Sequence, residues 1–324
     1  MSSGEYIEKT VYVRDLAANM AVKQPFIVIN KDLRSSEKGG AYLLVTLGDR
    51  TGDIPGIQWT YAAQSARGFE PGDVVVAAGT VSTYQGKLQL RIESITRTEQ
   101  ELVDLRDYVR AVADTDELFG KLRALLDTVQ DEHLRRLIGL FLEDEPFMRR
   151  FKESPAGKRW HHALVGGLLL HTYEVMSICD HMCKLYPSAN RDIVITAAFL
   201  HDLGKVYELE RGVVRDYTVE GRLLGHIVIG TQMALDRIRR IDGFPEELRL
   251  HIEHAVLSHQ GELVQESPVV PKTLETCIVY HADNLDAQTN AFLQIKERTE
   301  ERGEAWSEYI GLIGRQVWTG KLSR

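Results

Sequence analysis

The sequence predicts a multidomain protein, a small all-β barrel followed by an all-α helical bundle. Two observations carry this. Apolar residues alternate with a period of two up to about residue 98, and from about residue 100 the period lengthens to 3.6. A chain of 324 residues is also long enough for two compact cores. The expected divisions are a barrel over 11–98, a linker over 99–116 and a helical domain over 117–320.

In the first part, Phe26-Ile27-Val28-Ile29 and Tyr42-Leu43-Leu44-Val45 are strand-like runs. The turn-forming cluster Gly48-Asp49-Arg50-Thr51-Gly52-Asp53 suits a hairpin leading to Ile57. Val74-Val75-Val76 and Val81 form a further strand, interrupted by Gly79. In the last strand Leu88, Leu90 and Ile92 share one face, and Lys87, Gln89, Arg91 and Glu93 share the other. Five short strands in under 100 residues suggest a Greek-key barrel.

In the second part Asp114 can cap a helix, with Glu117 able to reach back to it. Helical patterns run through 117–142, 163–185, 191–204, 222–241, 246–259, 273–297 and 303–317. Pro155-Ala156-Gly157 and Gly243-Phe244-Pro245 supply breaks. No internal repeat or low-complexity tract interrupts the pattern.

Composition narrows the function. Net charge is -8, which as a whole repels a phosphate backbone, yet residues 1–100 hold 11 Lys/Arg against 11 Asp/Glu. The negative excess therefore belongs to the helical part, and contact with nucleic acid must use local basic patches. No apolar run has the length of a membrane span, and the polar start lacks a secretory segment. Cys179, Cys183 and Cys277 fit a reducing cytoplasm, with the first two read as small buried side chains on one helix face.

Nine of the 11 histidines fall between His161 and His259. Any one histidine is more often a core or surface residue than a ligand, but the clustering beside aspartates favours a metal site. Its sharpest element is His201-Asp202-Leu203-Gly204-Lys205, after the apolar run Ile193–Leu200. Adjacent His and Asp offer an imidazole nitrogen and a carboxylate from one stretch of backbone, and the two oxygens of Asp202 could bridge two ions. Lys205 lies one helical turn after His201, towards the same pocket. His171 precedes this element and Asp283 follows it, with His226, His254 and His259 between.

The order His, His-Asp, distant Asp resembles the HD-domain phosphohydrolases. Phe151-Lys152, Pro155-Ala156-Gly157-Lys158, His161-His162, Gly166-Gly167-Leu168 and His171-Thr172 resemble one family within them, the YhaM-type 3′-to-5′ exoribonucleases. So do Leu223-Leu224-Gly225-His226, Leu257-Ser258-His259 and the stretch His281–Ala287. That family joins an OB-fold to an HD domain. Leu47–Gly52, Trp59, Gly79-Thr80-Val81 and Tyr84–Leu90 are similar to its OB strands, and Trp306–Ile310 to its tail. The resemblance covers about residues 11 to 318. It departs at His259-Gln260, where the family usually has paired histidines, and this bears on a second metal.

The resemblance implies that His171, His201, Asp202 and Asp283 bind a first metal, and that His226, His254 and His259 complete a second site with Asp202. An imidazole and carboxylate set suits Mn²⁺, with Fe²⁺ or Zn²⁺ as alternatives, as one or two ions. Such ions activate water and polarise a phosphoryl oxygen, and Lys205 would stabilise the developing charge. Lys158, Arg159 and His162 are expected to contact substrate, and Trp59 and Tyr84, with Tyr42 and Tyr61, to stack on bases. The ordinary alternatives are a solvated basic face and core aromatics. The implied activity is a metal-dependent 3′-to-5′ exonuclease on single-stranded RNA, and also DNA, in the cytoplasm, with a homo-oligomer compatible. The alternatives are an HD phosphohydrolase of small nucleotides, or a nucleic-acid-binding protein with an inactive HD domain.

Overall fold

The computed structural model describes residues 6–36, 40–99, 102–104, 107–108, 111–157, 164–210, 217–261, 267–301, 303–311 and 313–320. They divide into two compact units, one up to residue 111 and one from residue 112 onward.

The first unit is a closed barrel of β1 (Ala21–Ser36), β2 (Gly40–Asp49), β3 (Gly52–Gln58), β4 (Val74–Tyr84) and β5 (Lys87–Arg97), joined in the order β1-β2-β3-β5-β4. A short helix α1 (Ala62–Ser65) connects β3 to β4. All neighbours pair antiparallel except β3 and β5, whose parallel seam joins Gly56 to Leu90 and Ile57 to Arg91. The alternation in sequence is the alternation of the barrel wall. Val45, Leu47, Val75, Ala77, Val81, Leu90 and Ile92 point into one buried cluster around Phe26. Gly79 marks the bulge between β4 and β5, where a Cβ would lie 2.0 Å from the Arg91 carbonyl oxygen. The β4–β5 turn passes through Gln85 and Gly86, both at positive φ, which suits a two-residue hairpin connection.

The second unit is helical. Its early helices are α2 (Thr115–Leu126), α3 (Glu132–Leu142) and α4 (Glu145–Glu153). Asp114, Asp131 and Asp144 each cap the helix that follows by accepting from its first amides, a contribution of about 1 kcal/mol apiece. The cap at Asp131 is why the single helix expected over 117–142 is two helices. Glu117 does not reach back to the Asp114 cap; it pairs with Lys121 at 2.7 Å, one turn ahead.

The later helices are α5 (Gly167–Leu185), α6 (Arg191–Leu200), α7 (Lys205–Glu208), α8 (Val219–Ile238), α9 (Glu246–Ser258) and α10 (Leu274–Glu301). They surround one core in which α6, buried from Ile193 to Leu200, is central. Phe141, Phe147, Phe151 and Phe199 meet there mostly edge to face, each pair adding about 0.5–1.5 kcal/mol beyond area burial. Cys179 and Cys183 are buried on α5, and burial pushes both thiols up. The helix expected over 303–317 does not form. Among the described residues that stretch carries antiparallel bridges, Trp306 to Trp318 and Ile310 to Arg315.

Candidate metal centre

Five helices, α5, α6, α8, α9 and α10, bring the histidines and aspartates together. His171 lies on the second turn of α5, and His201 and Asp202 follow the end of α6. His226 stands on α8 immediately after Gly225, whose φ of 71° breaks that helix. His259 ends α9, and Asp283 comes from the middle of α10. The close approach of α7 to α8 depends on glycine: a Cβ on Gly204 would lie 2.0 Å from the carbonyl oxygen of His226.

The side chains form two nests that share one carboxylate. In the first, His171 Nε2 lies 3.2 Å from His201 Nε2, 3.2 Å from Asp283 Oδ1 and 3.3 Å from Asp202 Oδ2. In the second, Asp202 Oδ1 lies 3.4 Å from His226 Nε2 and 3.5 Å from His259 Nε2. The ligand atoms of His171, His201 and Asp283 lie within 4.8 Å of one another, as do those of Asp202, His226 and His259.

Each imidazole is fixed by its far nitrogen. His201 Nδ1 meets the Ala198 carbonyl at 2.7 Å and His259 Nδ1 the Val256 carbonyl at 2.8 Å. His171 Nδ1 meets Asp286 Oδ2 at 2.6 Å, and His226 Nδ1 meets Glu208 Oε1 at 3.1 Å. Carbonyl and carboxylate oxygens only accept, so every Nδ1 carries the proton. In the neutral rings every Nε2 then presents a bare lone pair to a nest.

This arrangement fits a cation. Among the described residues, Asp202 Oδ1 and His259 Nε2 are both buried without a hydrogen-bond partner, and with the neutral ring protonated at Nδ1 each presents only lone pairs to the other. Facing acceptors in a buried space are unfavourable unless something positive lies between them. Imidazole nitrogen with carboxylate oxygen is a donor set for a borderline transition ion rather than for an all-oxygen magnesium site.

The electrostatics agree. Burial works to raise the Asp202 carboxyl, but Lys205 and the neighbouring imidazoles hold it well below the usual carboxylate range. Burial likewise opposes Asp283, which contact with His171 brings down to about 2. Burial alone would keep His171 neutral, yet Asp202, Asp283 and Asp286 raise it well above the ordinary value. His201 is pushed down to about 4 by burial, with its carboxylate neighbours opposing. Lys205 Nζ donates to Asp202 Oδ2 at 2.6 Å, and that charge keeps it raised against the cost of burial.

The expected residues do not all converge. His254 joins neither nest; its Nε2 accepts the backbone N–H of Lys272 at 3.1 Å. Five residues before His259, it lies about 140° round the helix, too far to share a face. Lys158, Arg159 and His162 lie outside the described residues. In the barrel unit, Trp59 is 57 % exposed and packs on Tyr42 with ring centroids 4.9 Å apart. Leu43 pairs with Gln58 and Arg34 with Tyr42, so Arg34, Tyr42 and Trp59 form a row across β1, β2 and the end of β3. Tyr84 and Tyr61 are exposed as well, Tyr84 at the β4–β5 turn.

Three further residues touch the ligand histidines. Asp286, behind His171, sits three residues after Asp283 and so on the same face of α10, a spacing visible in sequence. Gln260, whose amide lies 3.2 Å from His226 Nε2, stands where the sequence departs from the family's paired histidines, whereas Glu208, behind His226, gave no signal in sequence.

Comparison with known proteins agrees with both units. Residues 168–288 match the HD domain family, and residues 27–98 match an OB-fold nucleic acid binding domain. A 3'-5' exoribonuclease YhaM from Geobacillus sp. (strain WCH70) is 31% identical over 285 residues, 87% of each chain. The protein of the same name from Shouchella clausii (strain KSM-K16) is 32% identical over 290 residues, 89% of each chain. The chain belongs to the YhaM family. This YhaM-family protein is a hydrolase with an OB-fold barrel and an HD domain, and its HD domain is metal-dependent. Among the described residues, no helix is long and apolar enough to cross a membrane.

Proposed function

We propose that the protein is a metal-dependent 3′-to-5′ exonuclease that acts on single-stranded RNA, and also DNA, and releases nucleoside 5′-monophosphates. The observation that carries the chemistry is the single Asp202 carboxylate facing two imidazole nests, one through each oxygen. His171, His201, Asp202 and Asp283 would hold a first ion, and Asp202, His226 and His259 a second, with Mn²⁺ the best match to the donors. Such ions, when bound, lower the pKa of water and polarise a phosphoryl oxygen. Lys205, charged and buried beside Asp202, supplies a fixed cation where charge develops on the phosphoryl group.

The division of labour follows the two units. Residues 11–98 would grip the strand and residues 117–320 carry out hydrolysis, joined through 99–116. In the barrel, the guanidinium of Arg34 and the rings of Tyr42 and Trp59 offer a cation and stacking faces in one row. RNA as substrate and 3′-to-5′ polarity rest on the two relatives, both named as 3'-5' exoribonucleases.

The test uses single-stranded RNA and DNA oligomers labelled at either end and incubated with Mn²⁺. On 5′-labelled RNA the expected product is a progressively shortening ladder; on 3′-labelled RNA it is immediate release of labelled 5′-mononucleotide. Turnover of free nucleotides with intact oligomers would instead identify a small-nucleotide phosphohydrolase. No hydrolysis of either, with oligomers still bound, would identify a binding protein.

A further inference from the structure

His226 Nε2, the nitrogen that faces the second nest, is subject to two opposed influences. On one side stands Glu208, at the end of α7 and six residues after the shared carboxylate. Its Oε1 accepts both the backbone N–H of His226, at 3.0 Å, and Nδ1 of the same ring, at 3.1 Å. The backbone donation is available because Gly225 interrupts α8 just before His226 and leaves that N–H without a helical partner. Glu208 is itself held against the start of α8: its carbonyl accepts from Thr218 N at 2.9 Å, and a Cβ on Gly221 would lie 2.2 Å from that oxygen. The carboxylate thus fixes the position, the orientation and the tautomer of His226 together.

On the other side stands Gln260, whose Nε2 lies 3.2 Å from His226 Nε2. In the neutral ring, with the proton on Nδ1, Nε2 accepts, so the amide of Gln260 donates to it. An imidazole nitrogen has one in-plane lone pair. Donation from Gln260 and coordination of an ion therefore exclude each other.

We propose that Glu208 and Gln260 together set the affinity of the second ion through His226. Glu208 is a positioning residue that aims the lone pair into the nest, and Gln260 is a plug that holds the lone pair until an ion displaces it. The proposal rests on the reading that Asp202, His226 and His259 hold an ion. It implies that an ion entering the second nest must first turn Gln260 away before His226 can ligate it.

The test is titration of the metal-free full chain with Mn²⁺, following heat and free Mn²⁺ by electron paramagnetic resonance. The wild type should bind two ions with separable affinities, the second weaker. Glu208→Ala should weaken the second ion by about 10–100-fold and leave the first within about twofold. Glu208→Gln, which keeps an acceptor oxygen, should recover part of that loss and guards against a folding defect. Gln260→Ala should tighten the second ion by about fivefold, the worth of one ordinary hydrogen bond. Equal weakening of both ions by Glu208→Ala, or no gain from Gln260→Ala, would overturn the proposal. A wild type that binds one ion sharply, with every variant the same, would instead defeat the underlying two-nest reading.

Discussion

Replacing Asp202 by Asn removes one charge and no atoms of the carbon frame, and it should disable both nests at once. The first nest would keep Asp283 as its carboxylate, while the second would be left with two imidazoles and no carboxylate. Loss of a single preorganised electrostatic contact costs about 10²–10³ in turnover. A group serving two sites should cost at least the upper end of that range. A thousandfold corresponds to about 4 kcal/mol at 1.36 kcal/mol per decade. The fold should survive, because the asparagine amide oxygen can still accept from Lys205, now 2.6 Å from Asp202 Oδ2. Two measurements decide it: bound metal per chain by mass spectrometry, and hydrolysis of end-labelled RNA under saturating Mn²⁺, with circular dichroism as the control for folding. A folded variant with unchanged metal content and near-normal hydrolysis would refute the role given to this carboxylate.

Binding of the first ion should release about one proton near neutral pH, since His171 is held protonated in the metal-free protein by the three aspartates around it. Affinity should therefore rise with pH, by up to about tenfold per unit, and calorimetry in buffers of different ionisation enthalpy reads the proton directly; no released proton counts against it. In the metal-free protein the sign is opposite. A raised His171 contributes stability that is complete below its ordinary value of 6.5 and is lost as pH climbs through the raised one, so apo melting points should fall in that window. Tyr42→Ala and Trp59→Ala should each weaken single-stranded RNA binding by about 1–3 kcal/mol, measured by fluorescence anisotropy, if each stacks one base; unaltered affinity would assign the row another job. Gly79→Ala, whose Cβ would lie 2.0 Å from the Arg91 carbonyl, should cost about 1–3 kcal/mol in denaturant melts, and an unmoved midpoint would contradict the close β4–β5 contact.

Much of the fold was legible because period and composition are local properties. Leu88, Leu90 and Ile92 alternate in sequence and line one side of β5, and the apolar run before His201 is the buried helix at the centre of the bundle. His201-Asp202 was legible as a chemical pair for the same reason. What failed was what depends on direction rather than type. His254 and His259 both read as candidate ligands in sequence, with His259 at the helix end the better one, and the helix carries only His259 into the cluster. Residues 303–317 have helical spacing, yet Gly314 adopts a φ of 65° and Trp306 pairs with Trp318. The supporting carboxylate of Glu208 was hidden because it acts across a chain reversal, on a histidine 18 residues away.

The seam of the barrel has a consequence for how the protein fails. Among the described residues closure leaves no strand edge exposed, but β3 and β5 are joined in register at only Gly56–Leu90 and Ile57–Arg91. Gly56 is tightly confined, since a Cβ there would meet Ile92 Cδ1 at 2.7 Å and Val45 Cγ2 at 2.9 Å. Opening this short contact would free two edges at once, each with unpaired backbone groups able to template pairing with another chain. Aggregates that start from the barrel on heating should therefore be rich in intermolecular β-structure, which infrared spectroscopy of the heated protein would read.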